Sequence, residues 1–375
     1  MNFAFLETPR ALLERHAPGF DAELADIPFT SRESRASPAI PAFKARGPVA
    51  LLIPASAGGL GASALDAVHV QCALGARAPS LAVASTMHQF SVASLVLAAA
   101  GDATQGLLLR AIAEQRLLLA SGFAEGVPGR GILDSGMQAE SADGGVYLTG
   151  CKKPCSLATS MDLLTASYLR ETQTGDELMI ALIPANTPGI SLHAYWSNPA
   201  LAGAQSDELR LDRVFVPNRL SVCAGPREIL EPLQLAGFVW FELLISAAYL
   251  GICAGLVEQV VDGARWSEAD RVDLGCELQL GLAALQGLAR ELDADGALAG
   301  DLLARLLLVR YGLERSLARV SDRAHEALGG MRFIASGDAS IRLLSARGLC
   351  FHPPARIAMR TALDAYLRGG AFNLT

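Results

Sequence analysis

Three regimes of apolar spacing follow one another along the chain. Up to residue 118, apolar residues recur at three- and four-residue steps over Ala64–Leu74 and Leu81–Ala99. That spacing predicts helices, and a third runs from Thr104 to Gln115. Gly58, Gly59 and Gly61 predict a loop before the first, and Gly101-Asp102 a break after the second. From 119 to about 226 the period shortens. LLASGF, MQAES, GVYLTG, LLTASYL, LMIALIP, ISLHAYW and ELRLDRVFVP stand between Gly, Pro, Asn and Asp punctuation. This predicts an antiparallel β-domain of about seven strands. From 227 helical spacing returns in Leu233–Arg265, Val272–Asp293, Gly300–Leu328 and Ser340–Leu367, which predicts a four-helix bundle with up-down connections. The expected units are 1–118, 119–226 and 227–375.

Composition sharpens this picture. Of 375 residues, 51% are hydrophobic and 18% charged, enough apolar surface for a large core. The formal charge of -7 and the lack of a long basic tract argue against nucleic acid as a partner. The first twenty residues mix acids and bases in an amphipathic pattern, so no signal peptide is expected. Mean hydropathy is +0.32, and Leu233–Val257 is the most apolar stretch. It carries Gln234 and Glu242, which favours a buried helix over a membrane span. The seven cysteines are odd in number and scattered, which argues against a secreted disulfide framework and for a reducing cytoplasm. Cys151 and Cys155 have no second pair and no histidine nearby, so they are read as strand residues and no metal site is expected.

Helix, then sheet, then helical bundle is an uncommon order, and several motifs accompany it. They are PASAGGLG at Pro54–Gly61, the Gly101-Asp102 turn, ELRLDRVFVP at Glu208–Pro217, ALGGMRF at Ala327–Phe333 and RLLSARGLCFHP near the end. In this order they resemble the acyl-CoA dehydrogenase superfamily over nearly the whole chain. The resemblance implies an α+β fold with an N-terminal helical domain, a middle antiparallel β-barrel and a C-terminal four-helix bundle. It also implies a non-covalent FAD in a homodimer or homotetramer.

The same resemblance assigns residues. Phe123, Ala124 and Glu125 fall where the flavin's pyrimidine edge is held, although Ala124 lacks the hydroxyl common there. Cys155 and Ser156 fall on the second flavin segment, with the Ser156 hydroxyl at the N5 edge and Pro154 in place of a frequent tryptophan. Arg265, Gly329 and Gly330 match groups that meet the adenosine half across a subunit boundary. A helix-end arginine is also a dipole or salt-bridge residue, and a Gly-Gly is also a helix C-cap. His88 and Phe238 lie on helices that face the substrate in related proteins.

Two residues compete for the base of an acyl-thioester dehydrogenation. His352 stands at the usual C-terminal glutamate position, followed by Pro353 and Pro354. Glu242 is the single charge in Leu235–Val257, so it is either the base or half of a buried pair. The first expectation is an FAD-dependent dehydrogenase acting on acyl-CoA or an acyl-carrier protein, passing electrons to a partner protein or to oxygen. The alternative is a two-component flavin monooxygenase, which needs no carboxylate base and is served by Ser156 and His352. A flavin-free binding or structural subunit is the third.

Overall fold

The computed structural model describes residues 3–100, 102–227, 229, 231–261, 267–295 and 300–374. Seven helices come first: α1 (Ala4–His16), α2 (Phe20–Asp26), α3 (Phe29–Arg32), α4 (Ala39–Arg46), α5 (Ala64–Arg77), α6 (Pro79–Ala98) and α7 (Ala103–Gln115). Local chemistry sets their starts. The Ser63 hydroxyl accepts the Asp66 N–H at 3.0 Å and caps α5. Pro79 opens α6, where its missing N–H costs nothing. The Asp102 carboxylate caps α7 by accepting the Thr104 and Gln105 N–H groups.

Eight strands follow: β1 (Leu119–Gly122), β2 (Gln138–Ala142), β3 (Gly145–Cys155), β4 (Leu163–Thr172), β5 (Gly175–Pro184), β6 (Ile190–His193), β7 (Asp207–Pro217) and β8 (Ser221–Pro226). They form two four-stranded sheets, ordered β1-β4-β5-β8 and β2-β3-β7-β6. This corrects the expected antiparallel barrel. Among the described residues no ladder joins the sheets, so each keeps its own edges, and β1 pairs parallel with β4 from Leu119↔Leu163 to Gly122↔Ala166.

The remaining helices are α8 (Pro232–Val261), α9 (Glu268–Asp295), α10 (Gly300–Ala335), α11 (Gly337–Ala346) and α12 (Arg360–Leu367). The expected single helix over Ser340–Leu367 is broken by a helical turn at Arg347–Phe351 and by Pro353-Pro354. Nor do the C-terminal helices form a self-contained bundle of four. α8 packs on α9 and α10 but equally on α5 and α6 from the N-terminal part. Glycines make that crossing possible. A Cβ at Gly251 would lie 2.0 Å from the Cys72 carbonyl oxygen, and one at Gly75 2.1 Å from that of Ala248. The α5 and α8 backbones are therefore in direct contact. α6 and α8 are long and apolar enough to cross a membrane, and both are mostly buried in the interior, which accounts for their composition.

Candidate active site

A cavity of about 640 Å³ opens between α6, α8, the β1-β4-β5-β8 sheet and the loop from Phe123 to Gly136. That size lies within the roughly 300–1,000 Å³ usual for small-molecule sites. Strands β5 and β8 and helix α8 give its lining Leu178, Ile180, Leu182, Val222, Leu233 and Phe238, all apolar. Ser156, Ser206, Tyr249 and His352 add polar groups to the same lining. A row of rings connects the loop with His352. Phe123 lies 6.3 Å from Phe90, Phe90 lies 5.5 Å from Phe241, and Phe241 lies 5.9 Å from His352.

Ser156 follows β3 and Ser206 precedes β7, and their hydroxyls are 2.9 Å apart. Beside them, Leu157 N–H donates to the Ala204 carbonyl at 3.0 Å, which fixes the turn after β3. Cys155, one residue earlier, is fully buried and does not line the cavity. Burial pushes its thiol up to about 12, so it stays protonated.

Glu125 anchors the loop. Its carboxylate accepts from Lys152 Nζ at 2.8 Å, Ser135 Oγ at 2.7 Å, Gly136 N–H at 2.8 Å and Arg130 Nη1 at 2.6 Å. Burial opposes the charge, but these donors outweigh it and hold the carboxyl at about 2. Lys152 is fully buried on the inward face of β3 and also donates to Ser167 Oγ at 3.1 Å. Its alternation with Leu148 places it there. The N–H groups of Ala124 and Glu125 have no hydrogen-bond partner among the described residues. Phe123, Ala124, Glu125, Ser156 and Phe238 thus all meet in one cavity.

His352 lines the same cavity, and its Nε2 is 3.0 Å from the Tyr249 hydroxyl. Burial and the nearby Arg310 guanidinium push the imidazole down to about 3, so it is neutral at ordinary pH. Tyr249 O–H has no other acceptor among the described residues and donates to Nε2. With Tyr249 as the donor, the remaining proton sits on Nδ1, for which no partner is found among the described residues.

Other expected site residues lie elsewhere. Glu242 is fully buried and outside the cavity lining, with both oxygens 2.9 Å from Arg310 Nη1. His88 is also fully buried and turned away from the cavity. Its Nε2 meets the Val49 carbonyl at 2.8 Å, and its Nδ1 accepts the Leu119 N–H at 3.1 Å. Burial pushes it down to about 4, and both nitrogens are occupied by backbone, so it holds α6 to β1. Its neighbours Met87, Phe90 and Ser91 face the cavity instead. Gly329 and Gly330 sit at a kink in α10, away from the cavity, where an added Cβ at either would meet nothing. Arg265 lies outside the described residues. Sequence reading missed Lys152, Tyr249, Arg310 and the cavity-lining Arg130. For Arg310 the signal was available, since it is a lone cation within LLLVRYGL.

The fold is of the acyl-CoA dehydrogenase-like class. Over its whole length the structure matches the FMN-bound dibenzothiophene monooxygenase TdsC of Paenibacillus, with a TM-score of 0.80 at 19% identity and coverage of 99% of that chain. In sequence the chain is 42% identical to isobutylamine N-hydroxylase of Streptomyces viridifaciens, across 98% of this chain and 99% of that protein. It therefore belongs to the family of flavin-dependent monooxygenases and N-oxygenases that contains that enzyme. A probable FMNH2-dependent monooxygenase of Pseudomonas putida is 32% identical over 34% of this chain and 32% of its own length. No family model matches the chain.

These relatives correct two expectations. The reaction is not the dehydrogenation of an acyl thioester, because the relatives are monooxygenases, as the alternative reading held. The base that dehydrogenation required of Glu242 or His352 has no task here. The cofactor expectation of FAD is overturned: the structural neighbour is FMN-bound and the Pseudomonas relative is named as FMNH2-dependent. The adenosine-half roles expected of Arg265, Gly329 and Gly330 were tied to FAD and lose their ligand with it.

Proposed function

We propose that the protein is a two-component monooxygenase that takes reduced FMN from a separate reductase and hydroxylates the nitrogen of a small apolar primary amine. The observation that carries this reading is the 42% identity over 98% of the chain with isobutylamine N-hydroxylase. In balance, R-NH2, O2 and reduced flavin give R-NHOH, water and oxidised flavin. Bound reduced FMN supplies the two electrons that activate oxygen.

The residues present suit that ligand. The free N–H groups of Ala124 and Glu125 suit a carbonyl-bearing ring edge, and the Ser156–Ser206 pair offers a hydroxyl beside it. Arg130 and Lys153, both lining the cavity, are the cations for the phosphate. The apolar side chains of the lining, Leu178, Ile180, Leu182 and Phe238 among them, take the alkyl group. The acids that line the cavity are already paired, Glu125 as described and Asp134 with Arg227 at 2.8 Å. No described lining carboxylate is left to hold an ammonium, so the amine binds as the free base, whose lone pair forms the new N–O bond. His352 Nδ1–H then serves as a neutral donor to the oxygen that departs as water.

The test is turnover of isobutylamine with FMN, a flavin reductase, NADH and air. The expected product is the alkylhydroxylamine, heavier than the amine by one oxygen. NADH and oxygen consumption that yields only hydrogen peroxide across a panel of short amines would overturn the assignment.

A further inference from the structure

We propose that Arg310, with Glu242 as its counter-ion, is the positioning residue that holds His352 at the cavity. The proposal rests on the reading above, in which His352 works at the reaction space.

His352 sits on a segment with little internal fastening beyond its own N–H, which donates to the Leu349 carbonyl at 3.3 Å. The turn Arg347–Phe351 ends there, and Pro353 and Pro354 have no N–H to donate. The segment offers carbonyls and needs donors from outside. One guanidinium supplies them. Arg310 Nη2 donates to the Leu349 carbonyl at 3.2 Å and to that of His352, and Nη1 donates to that of Pro353 at 3.2 Å. Next to it on α10, Tyr311 O–H donates to the Pro354 carbonyl at 2.8 Å. The main chain on both sides of His352 is thereby tied to α10. The ring itself is fixed by Tyr249 O–H at 3.0 Å and by the edge of Phe241.

A buried arginine needs a charge partner. Glu242 provides it from α8, with both oxygens at 2.9 Å. Glu314, one turn along α10, lies 3.6 Å from Nε, and Arg356 faces Glu314. The fork geometry is what allows one side chain to reach a carboxylate and the carbonyls of Leu349, His352, Pro353 and Pro354 at once, and lysine lacks it. A charge pair that merely joined α8 to α10 would not need its hydrogen bonds spent around one histidine.

The test uses the full-length protein with reductase, FMN and amine, and compares Glu242→Gln, Arg310→Lys and His352→Ala with the two double variants. Glu242→Gln and Arg310→Lys are expected to lower kcat about 10- to 100-fold, the scale of a small misplacement, with little change in KM. In the His352→Ala background neither should lower kcat further. A second readout needs no flavin: imidazole NMR of the protein alone. Glu242→Gln should move the His352 resonances and leave those of the other five histidines in place. Full additivity with His352→Ala, or unmoved His352 resonances, would overturn the proposal. If Glu242→Gln fails to fold, Arg310→Lys carries both readouts. If His352→Ala leaves turnover intact, the role of His352 in the reaction fails, while the NMR shift still reports whether Arg310 holds the segment.

Discussion

Glu125, half-buried in the sheet region, and Glu242, fully buried among the helices, each pair with a buried cation, yet their pKa values move in opposite directions. Glu125 goes down to about 2 because four donors converge on its two oxygens, one of them a backbone N–H. Glu242 goes up to about 7 because burial is complete and a single guanidinium nitrogen, with Glu314 nearby, does not offset it. The depth of burial and the number of donors, rather than the presence of an opposite charge, separate the two. The functional consequence follows. The loop that Glu125 anchors is held by a charge that persists at any working pH. The His352 segment is held by a pair whose charge changes near neutrality.

Breaking the first pair should have the largest effect. Lys152→Met leaves Glu125 in its half-buried place without its main cation, and stability should fall by about 3–5 kcal/mol in urea unfolding. The loss should vary little between pH 6 and 8, because Glu125 stays ionised there. Arg310→Met gives the contrasting case. Glu242 escapes by taking a proton, so the cost should be smaller at pH 6 than at pH 8. Equal pH dependence of the two variants would remove the distinction.

The second effect is smaller and concerns slope. A carboxyl raised in the folded state contributes stability that is complete below its unfolded value of about 4.5 and is lost as pH climbs through about 7. Glu125 behaves in the reverse sense, contributing above about 4.5 and losing that contribution as pH falls through about 2. Between about pH 4.5 and 7 the wild type should lose up to ~1.4 kcal/mol per pH unit relative to Glu242→Gln, the slope of one proton. Parallel stability curves would show that Glu242 stays ionised throughout.

The two acids also show what the chain reveals without its structure. Glu242 stands alone in an apolar run, so its burial is legible. Its partner Arg310 lies 68 residues away, and no local pattern pairs them. Glu125 appears in the sequence as one acid among turn residues, and the Lys152 that meets it sits in CKKPC with nothing to show which lysine turns inward. The succession of helix, strand and helix was legible because the apolar period changes from three or four to two and back. Which face of α6 or α8 meets the cavity was not, since both helices are buried nearly all round and their periodicity carries no direction. His88 was misplaced for that reason, while Met87 beside it faces the site. The parallel β1–β4 pair was equally hidden, because an alternating run does not state its partner. The proposal of FMN in place of FAD rests on no residue pattern and comes from the relatives.

The smallest expected effect on stability sharpens the comparison at its exposed edge. Arg130 donates to Glu125 at 2.6 Å, but its side chain is about a third exposed, whereas that of Lys152 is fully buried. If the buried and backbone donors set the low pKa of Glu125, Arg130→Gln should cost less than about 1 kcal/mol, the usual value of a solvent-screened pair. The guanidinium has four further N–H donors and lines the cavity, which is why the phosphate was assigned to it. Arg130→Gln should therefore leave the unfolding midpoint nearly unchanged while weakening FMN binding, and weakening it less at high salt, where the wild-type contact is already screened. Flavin fluorescence titration at two salt concentrations reads this directly. A large loss of stability would move Arg130 into the group that anchors the loop, and unchanged FMN affinity would leave Lys153 as the phosphate cation.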